Sequence, residues 1–161
     1  MIGINSLRQI FWKLYAGEQV FEPSFAVLVA VFNTVNNGLN ILMSLWSFSS
    51  QASKADTSIL SSPVLMLGLL LFAVGSVMET VCELPRKVFK SNPANKGKLY
   101  TGGFFAYARH INFGAYLLWR VGLATFCGGL GWGVMVTLYF LYYFGNTGVP
   151  DIDRHMSAKV R

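Results

Sequence analysis

The sequence predicts an all-α, polytopic membrane protein with about four transmembrane helices and an N-terminal interfacial helix. Three observations lead there. Of 161 residues, 53% are hydrophobic and only 12% are charged, about half the roughly 25% charged content of soluble domains. The apolar residues gather into runs approaching the about 20 residues that a helix needs to cross hydrocarbon. The basic residues crowd beside those runs, the pattern of charges at a membrane surface. Backbone groups left unpaired in lipid exclude an open sheet, so the spans are helices.

Residues 1–23 form a first segment. Ile4, Leu7, Phe11 and Leu14 recur at helical spacing with Arg8 and Lys13 among them, which suits a helix lying in the interface. Glu18 and Glu22, and the absence of a short apolar core, argue against a signal peptide. The remainder, 24–161, reads as one membrane domain. Its apolar runs cover 24–46, 59–82, 111–128 and 131–146, with a loop at 83–110 and a tail at 147–161. Gly128, Gly129 and Gly131 separate the last two runs and suit a tight turn between antiparallel helices.

With four spans, the N-terminus, the 83–110 loop and the tail share one side. Eleven of the thirteen basic residues fall there: Arg8, Lys13, Arg86, Lys87, Lys90, Lys96, Lys98, Arg109, Arg154, Lys159 and Arg161. The other side holds Lys54, and Arg120 lies within a span. Both termini are therefore expected in the cytosol. The net charge of +6 belongs to this membrane-flanking pattern and not to a nucleic-acid partner. Cys82 and Cys127 form no CxxC, and His110 and His155 lack a metal-ligand spacing, so neither a disulfide framework nor a metal is expected.

Several polar residues stand where lipid would forbid them. Asn33, Asn36, Asn37 and Asn40 line one helical face. An amide without a partner in hydrocarbon is costly, so the stripe meets another helix or lines a substrate cavity. Arg120 is mid-span; its expected partner is Glu79 or Glu83, or else an anionic ligand. Glu79 and Glu83 lie one turn apart. They are the available proton donors, or partners for nearby Lys and Arg. The basic loop is either an anion site or a consequence of the charge bias alone.

The stretch "ELPRKVFKSNPANKGKLYTGGFFAYARHINFGAYLLWRVG" resembles the C-terminal signature of steroid 5-alpha-reductases and sterol reductases. It is most similar to the branch described as a domain of unknown function, DUF1295. Arg86, Phe89, Lys90, Pro93, Gly97, Lys98, Gly103, Phe104, Arg109, His110, Asn112, Phe113 and Gly114 occupy the family's motif places. The resemblance covers roughly 76–161. It implies an NADPH-dependent reductase of a carbon–carbon double bond in a steroid, sterol or other lipid, in the endoplasmic reticulum. Hydride leaves the nicotinamide and an acid protonates the neighbouring carbon. Arg86, Lys90 and Arg109, with Lys98 in the same loop, would bind phosphates. His110 would add a donor, Asn112 would pair with the carboxamide or ribose, Phe113 completes the signature, and Asp153 would hold a ribose hydroxyl or adenine amine.

Three departures bear on that expectation. Ile111 stands where the family has proline, Phe113 where tyrosine is commoner, and the chain stops at Arg161 short of the family's usual tail. A truncated or inactive member is therefore part of the expectation. The same Arg-His signature is similar to that of isoprenylcysteine and phospholipid methyltransferases, which use S-adenosylmethionine. Their paired glutamates have only Asp153 beside Ile152 here. A methyltransferase is thus the alternative, a non-enzymatic scaffold the third reading, and an oligomer is compatible with all three.

Overall fold

The computed structural model describes residues 1–11, 23–51, 62–108, 110–150, 152 and 154. Lys13, Leu14, Lys54, Arg109, Asp153, Lys159 and Arg161 lie outside them. Among the described residues the chain is mostly helical and holds no strand, with α1 (Ile2–Phe11), α2 (Pro23–Gln51), α3 (Pro63–Ser91) and α4 (Ile111–Tyr143). Three of these, α2, α3 and α4, are long and apolar enough to cross a membrane.

Local chemistry sets the helix starts. Pro23 and Pro63 open α2 and α3, where a missing N–H leaves no helical bond unmade. Ser62 caps α3, its hydroxyl accepting from the Leu65 N–H at 3.5 Å. The expected loop begins later than 83, because α3 continues through Pro85 to Ser91. Arg86, Lys87 and Lys90 in its closing turns oppose the negative end of the helix dipole.

Helix α4 is not one rod. A straight helix of 33 residues would be about 50 Å long, well beyond the hydrocarbon thickness of about 30 Å. Gly129 breaks it, with φ 77° and ψ −173°, a region open essentially to glycine alone. The chain folds back there. Phe113 stacks on Phe144 with ring centroids 4.7 Å apart, and Tyr116 meets Phe140 at 5.5 Å. Rings so distant in sequence touch only if 111–128 and 130–143 run antiparallel. These arms are the two last runs that the sequence separates. The second arm ends in a π-helical turn, Phe144–Gly148.

The first arm packs on α3 through a seam of small residues. Gly68 and Gly75 on α3 face Gly122 and Ala115, each pair seven residues apart. A Cβ placed on Gly68 would stand 2.6 Å from the Phe126 nitrogen, and one on Gly75 would run into the backbone of Trp119. Small residues let the two backbones touch, which is how helices gain contact in lipid. Phe72, Trp119, Leu123 and Cys127 form the buried core beside this seam.

Helix α2 leans on α4 instead. Phe32 meets Phe140 edge-on at 6.2 Å, and Asn40 and Asn33 bond to α4 side chains. The short α1 is seated lengthwise on the bundle. Met1 packs on the core cluster, and Arg8 binds Glu79 Oε2 at 2.6 Å. Ile4, Leu7, Ile10 and Phe11 point outward. The sequence reading counts Arg8 among the flanking cytosolic charges. Its counter-charge on α3 draws it inside instead, where its side chain is 14% exposed.

Candidate functional site

Two polar regions stand out in this apolar bundle. The first is the mouth, where α3 ends and the α4 hairpin opens. Between them the basic loop folds back on short 3₁₀ turns at Pro93–Asn95 and Gly103–Ala106. Asn92 accepts from the Ala94 N–H at 3.0 Å, and the Asn95 amide donates to the Phe89 carbonyl at 3.0 Å. Tyr100 packs between Phe89 and Phe105, at 5.3 and 5.8 Å. Gly97 and Gly103 take positive φ to allow the path.

At the foot of the hairpin, His110 caps α4 through its carbonyl, which accepts from the Phe113 N–H at 3.0 Å. The helix thus starts at Ile111 without the family's proline. His110 stacks on Phe113 at 5.8 Å, and Phe113 lies parallel to Phe144, 2° from coplanar orientation. Gly148 closes against Phe144; a Cβ there would come within 3.1 Å of that ring. The outcome is a flat aromatic stack at the mouth.

Arg86 rests against Glu83 and Phe105. Its Nη1 donates to both oxygens of Glu83, at 2.9 and 3.0 Å, and its guanidinium lies over the Phe105 ring at 5.7 Å. Lys90 and Lys98 are exposed, while Asn112 and Phe113 are half-buried. Arg109 and Asp153 fall outside the described residues, so the expected cofactor set is seen only in part.

The second region is a polar centre deep in the bundle. Arg120 is 3% exposed. The sequence offers Glu79 or Glu83 as its partner; the structure gives neither. Glu79 is held by Arg8 and Glu83 by Arg86. Arg120 instead donates from Nη2 to Asn33 Oδ1 and from Nε to the Tyr116 hydroxyl, the latter at 2.9 Å. Its guanidinium lies 4.5 Å from the Trp119 ring centre, 5.2 Å from Tyr116 and 5.8 Å from Phe32. Arg8 also lies over Trp119, at 4.8 Å.

The asparagine stripe divides its work. Asn33 joins α2 to Arg120, and Asn40, buried, accepts from Trp132 Nε1 at 2.8 Å. Asn36 turns back to the Phe32 carbonyl of its own helix. Asn37 keeps a buried Oδ1 without a hydrogen-bond partner. Sequence reasoning missed Arg8, Ser76, Tyr116, Trp119 and Trp132 as members of this centre. Tyr116 was readable, standing one turn before Arg120; the others meet only in the folded bundle.

Fold and site together define a polytopic helical membrane protein with an aromatic and basic mouth above a buried polar centre. The chain belongs to the family described as "Protein of unknown function (DUF1295)", which matches residues 17–161, so the family likeness carried by the loop signature is borne out. It is similar to a protein of Ustilaginoidea virens named "Probable O-methyltransferase ustE", at 42% identity over 152 residues. That match covers 93% of this chain and 54% of the relative, so the chain spans about half the relative's length. No solved structure matches.

Proposed function

We propose that this protein transfers a methyl group from S-adenosylmethionine to an oxygen of a lipid-soluble acceptor. The observation that carries this reading is the 42% identity to a relative named as an O-methyltransferase. It promotes the alternative of the sequence reading over the NADPH reductase. The mouth supports the change. Arg86, expected on a phosphate, is engaged by Glu83 and Phe105. Phe113, Phe144 and His110 stack on one another there, an aromatic cluster of the kind that suits an adenine ring and a sulfonium cation.

When bound, S-adenosylmethionine supplies an electrophilic methyl carbon. Phe113 and Phe144 would orient the cofactor against the hairpin, and the basic loop would cover it. A lipid-soluble acceptor entering from the bilayer would be held with its oxygen, its proton already given up to water, toward the cofactor that Phe113 and Phe144 would hold. Glu79 and Glu83, the candidate proton donors, each hold an arginine and serve the framework in this reading. The basic end of the bundle faces the cytosol, as the charge bias requires, and an endoplasmic-reticulum membrane suits a lipid acceptor.

Calorimetry on the protein in detergent tests the cofactor. S-adenosylmethionine should bind, and Phe144→Ala should weaken it by about tenfold, the loss of about 1.4 kcal/mol of ring contact. Binding of NADPH with no heat from S-adenosylmethionine would restore the reductase.

A further inference from the structure

We propose that Arg120 anchors the carboxylate of a lipid-soluble acid inside the bundle, a ligand site separate from the mouth. The proposal does not depend on the methyl-transfer reading: a carboxylate held on Arg120 lies about 15 Å from the mouth, so an oxygen methylated there belongs to the other end of the ligand.

The argument begins with charge. A guanidinium cannot shed its proton in a protein, and Arg120 is buried among neutral partners: the Tyr116 hydroxyl, the Asn33 amide oxygen and three aromatic faces. Among the described residues the centre holds two arginines, Arg8 and Arg120, against the single carboxylate of Glu79. A buried cation without an anion is costly. A carboxylate would supply what the centre lacks.

Hydrogen bonding points the same way. Among the described residues, four buried side-chain atoms have no hydrogen-bond partner: Arg120 Nη1, Trp119 Nε1, Ser76 Oγ and Asn37 Oδ1. Three of them carry protons to give. The Trp119 indole faces Glu79 without closing a bond of good geometry. Ser76 sits one turn before Glu79, its carbonyl accepting from Arg8 at 3.4 Å. The guanidinium presents an unused N–H, and a carboxylate accepts such bonds more strongly than any neutral oxygen.

The surroundings fix the rest of the ligand. Phe32 and Trp119 lie against the guanidinium, with Phe140 and Phe72 packed behind them, so its surroundings are apolar. Helix α2 packs on α4 and scarcely on α3 among the described residues, and α1 rests beside that gap through Met1 and Arg8, so an acyl chain entering there from the bilayer passes α1. His110, Phe113, Tyr116 and Arg120 follow at offsets of three, three and four along one face of α4. That file runs about 15 Å from the mouth to the arginine. The carboxylate that Arg120 takes has two sources, a bilayer acid or the amino-acid end of the cofactor. The depth of Arg120 and its apolar walls favour the bilayer acid.

The test measures binding of radiolabelled oleate and methyl oleate to the full chain in nanodiscs, with empty discs as the blank. Oleate should bind at least tenfold more tightly than its ester. Arg120→Met should erase the preference while S-adenosylhomocysteine affinity stays unchanged. Arg120→Lys, which keeps the charge, should retain part of the preference and guards against misfolding of the methionine variant. Equal binding of acid and ester by the unaltered protein would overturn the proposal, as would a preference surviving in Arg120→Met. So would loss of S-adenosylhomocysteine in place of oleate, since the arginine would then serve the cofactor. Acid-selective binding with no affinity for S-adenosylhomocysteine would end the methyltransferase reading and leave this site standing.

Discussion

The first arm of α4 is held to α3 and to α2 by opposite means. Against α3 it offers Ala115 and Gly122, and the backbones meet directly. Against α2 it offers Arg120, whose side chain bridges to Asn33, while the second arm offers Trp132 to Asn40. A backbone seam has no rotamers to change, so it is rigid. A side-chain bridge can re-form with another partner, so α2 is the element able to yield to a ligand without disturbing the rest.

Substitutions can break that distinction. Gly122→Leu should have the largest effect, because a side chain there runs into the backbone at Gly68 and Phe72. Overpacking of this kind costs about 3 kcal/mol or more, read as loss of folded protein or a large drop in melting temperature in detergent. Gly114→Leu, which meets nothing within 4 Å, is the control and should melt like the parent.

Glu79→Gln comes next. It leaves Arg8 without its counter-charge at a place where the two side chains are 14% and 20% exposed. Full burial would make the loss larger; partial solvent screening reduces it to about 1–2 kcal/mol. The double variant Arg8→Gln, Glu79→Gln should recover part of the loss in the same melting measurement. Trp132→Phe should be mildest, removing one interhelical bond to Asn40 worth about 0.6 kcal/mol. Should Trp132→Phe destabilise as much as Gly122→Leu, the division into rigid seam and adjustable bridge is mistaken.

The spans were legible because apolar length is a property of the chain itself. The glycine turn was legible too, since Gly128, Gly129 and Gly131 interrupt two apolar runs. The seam went unread although Gly68 and Gly75 on one span, and Ala115 and Gly122 on another, share a seven-residue spacing. Small residues are common in membrane helices, and spacing alone does not pair one set with the other. The asparagine stripe showed which face of α2 would be buried, and Asn33 and Asn40 meet α4 on it. The partner of Arg120 was misread for a physical reason. Coulomb attraction recommends a carboxylate, yet Glu79 and Glu83 each had another arginine within closer reach.

The hairpin at Gly129 has a bearing on the membrane itself. Its arms, 111–128 and 130–148, rise about 27 Å and 28 Å. A bilayer of endoplasmic-reticulum type, with hydrocarbon of about 27 Å, accepts them upright, whereas one of about 32 Å must thin around them. One glycine of positive φ therefore sets the thickness of lipid in which this protein is at rest.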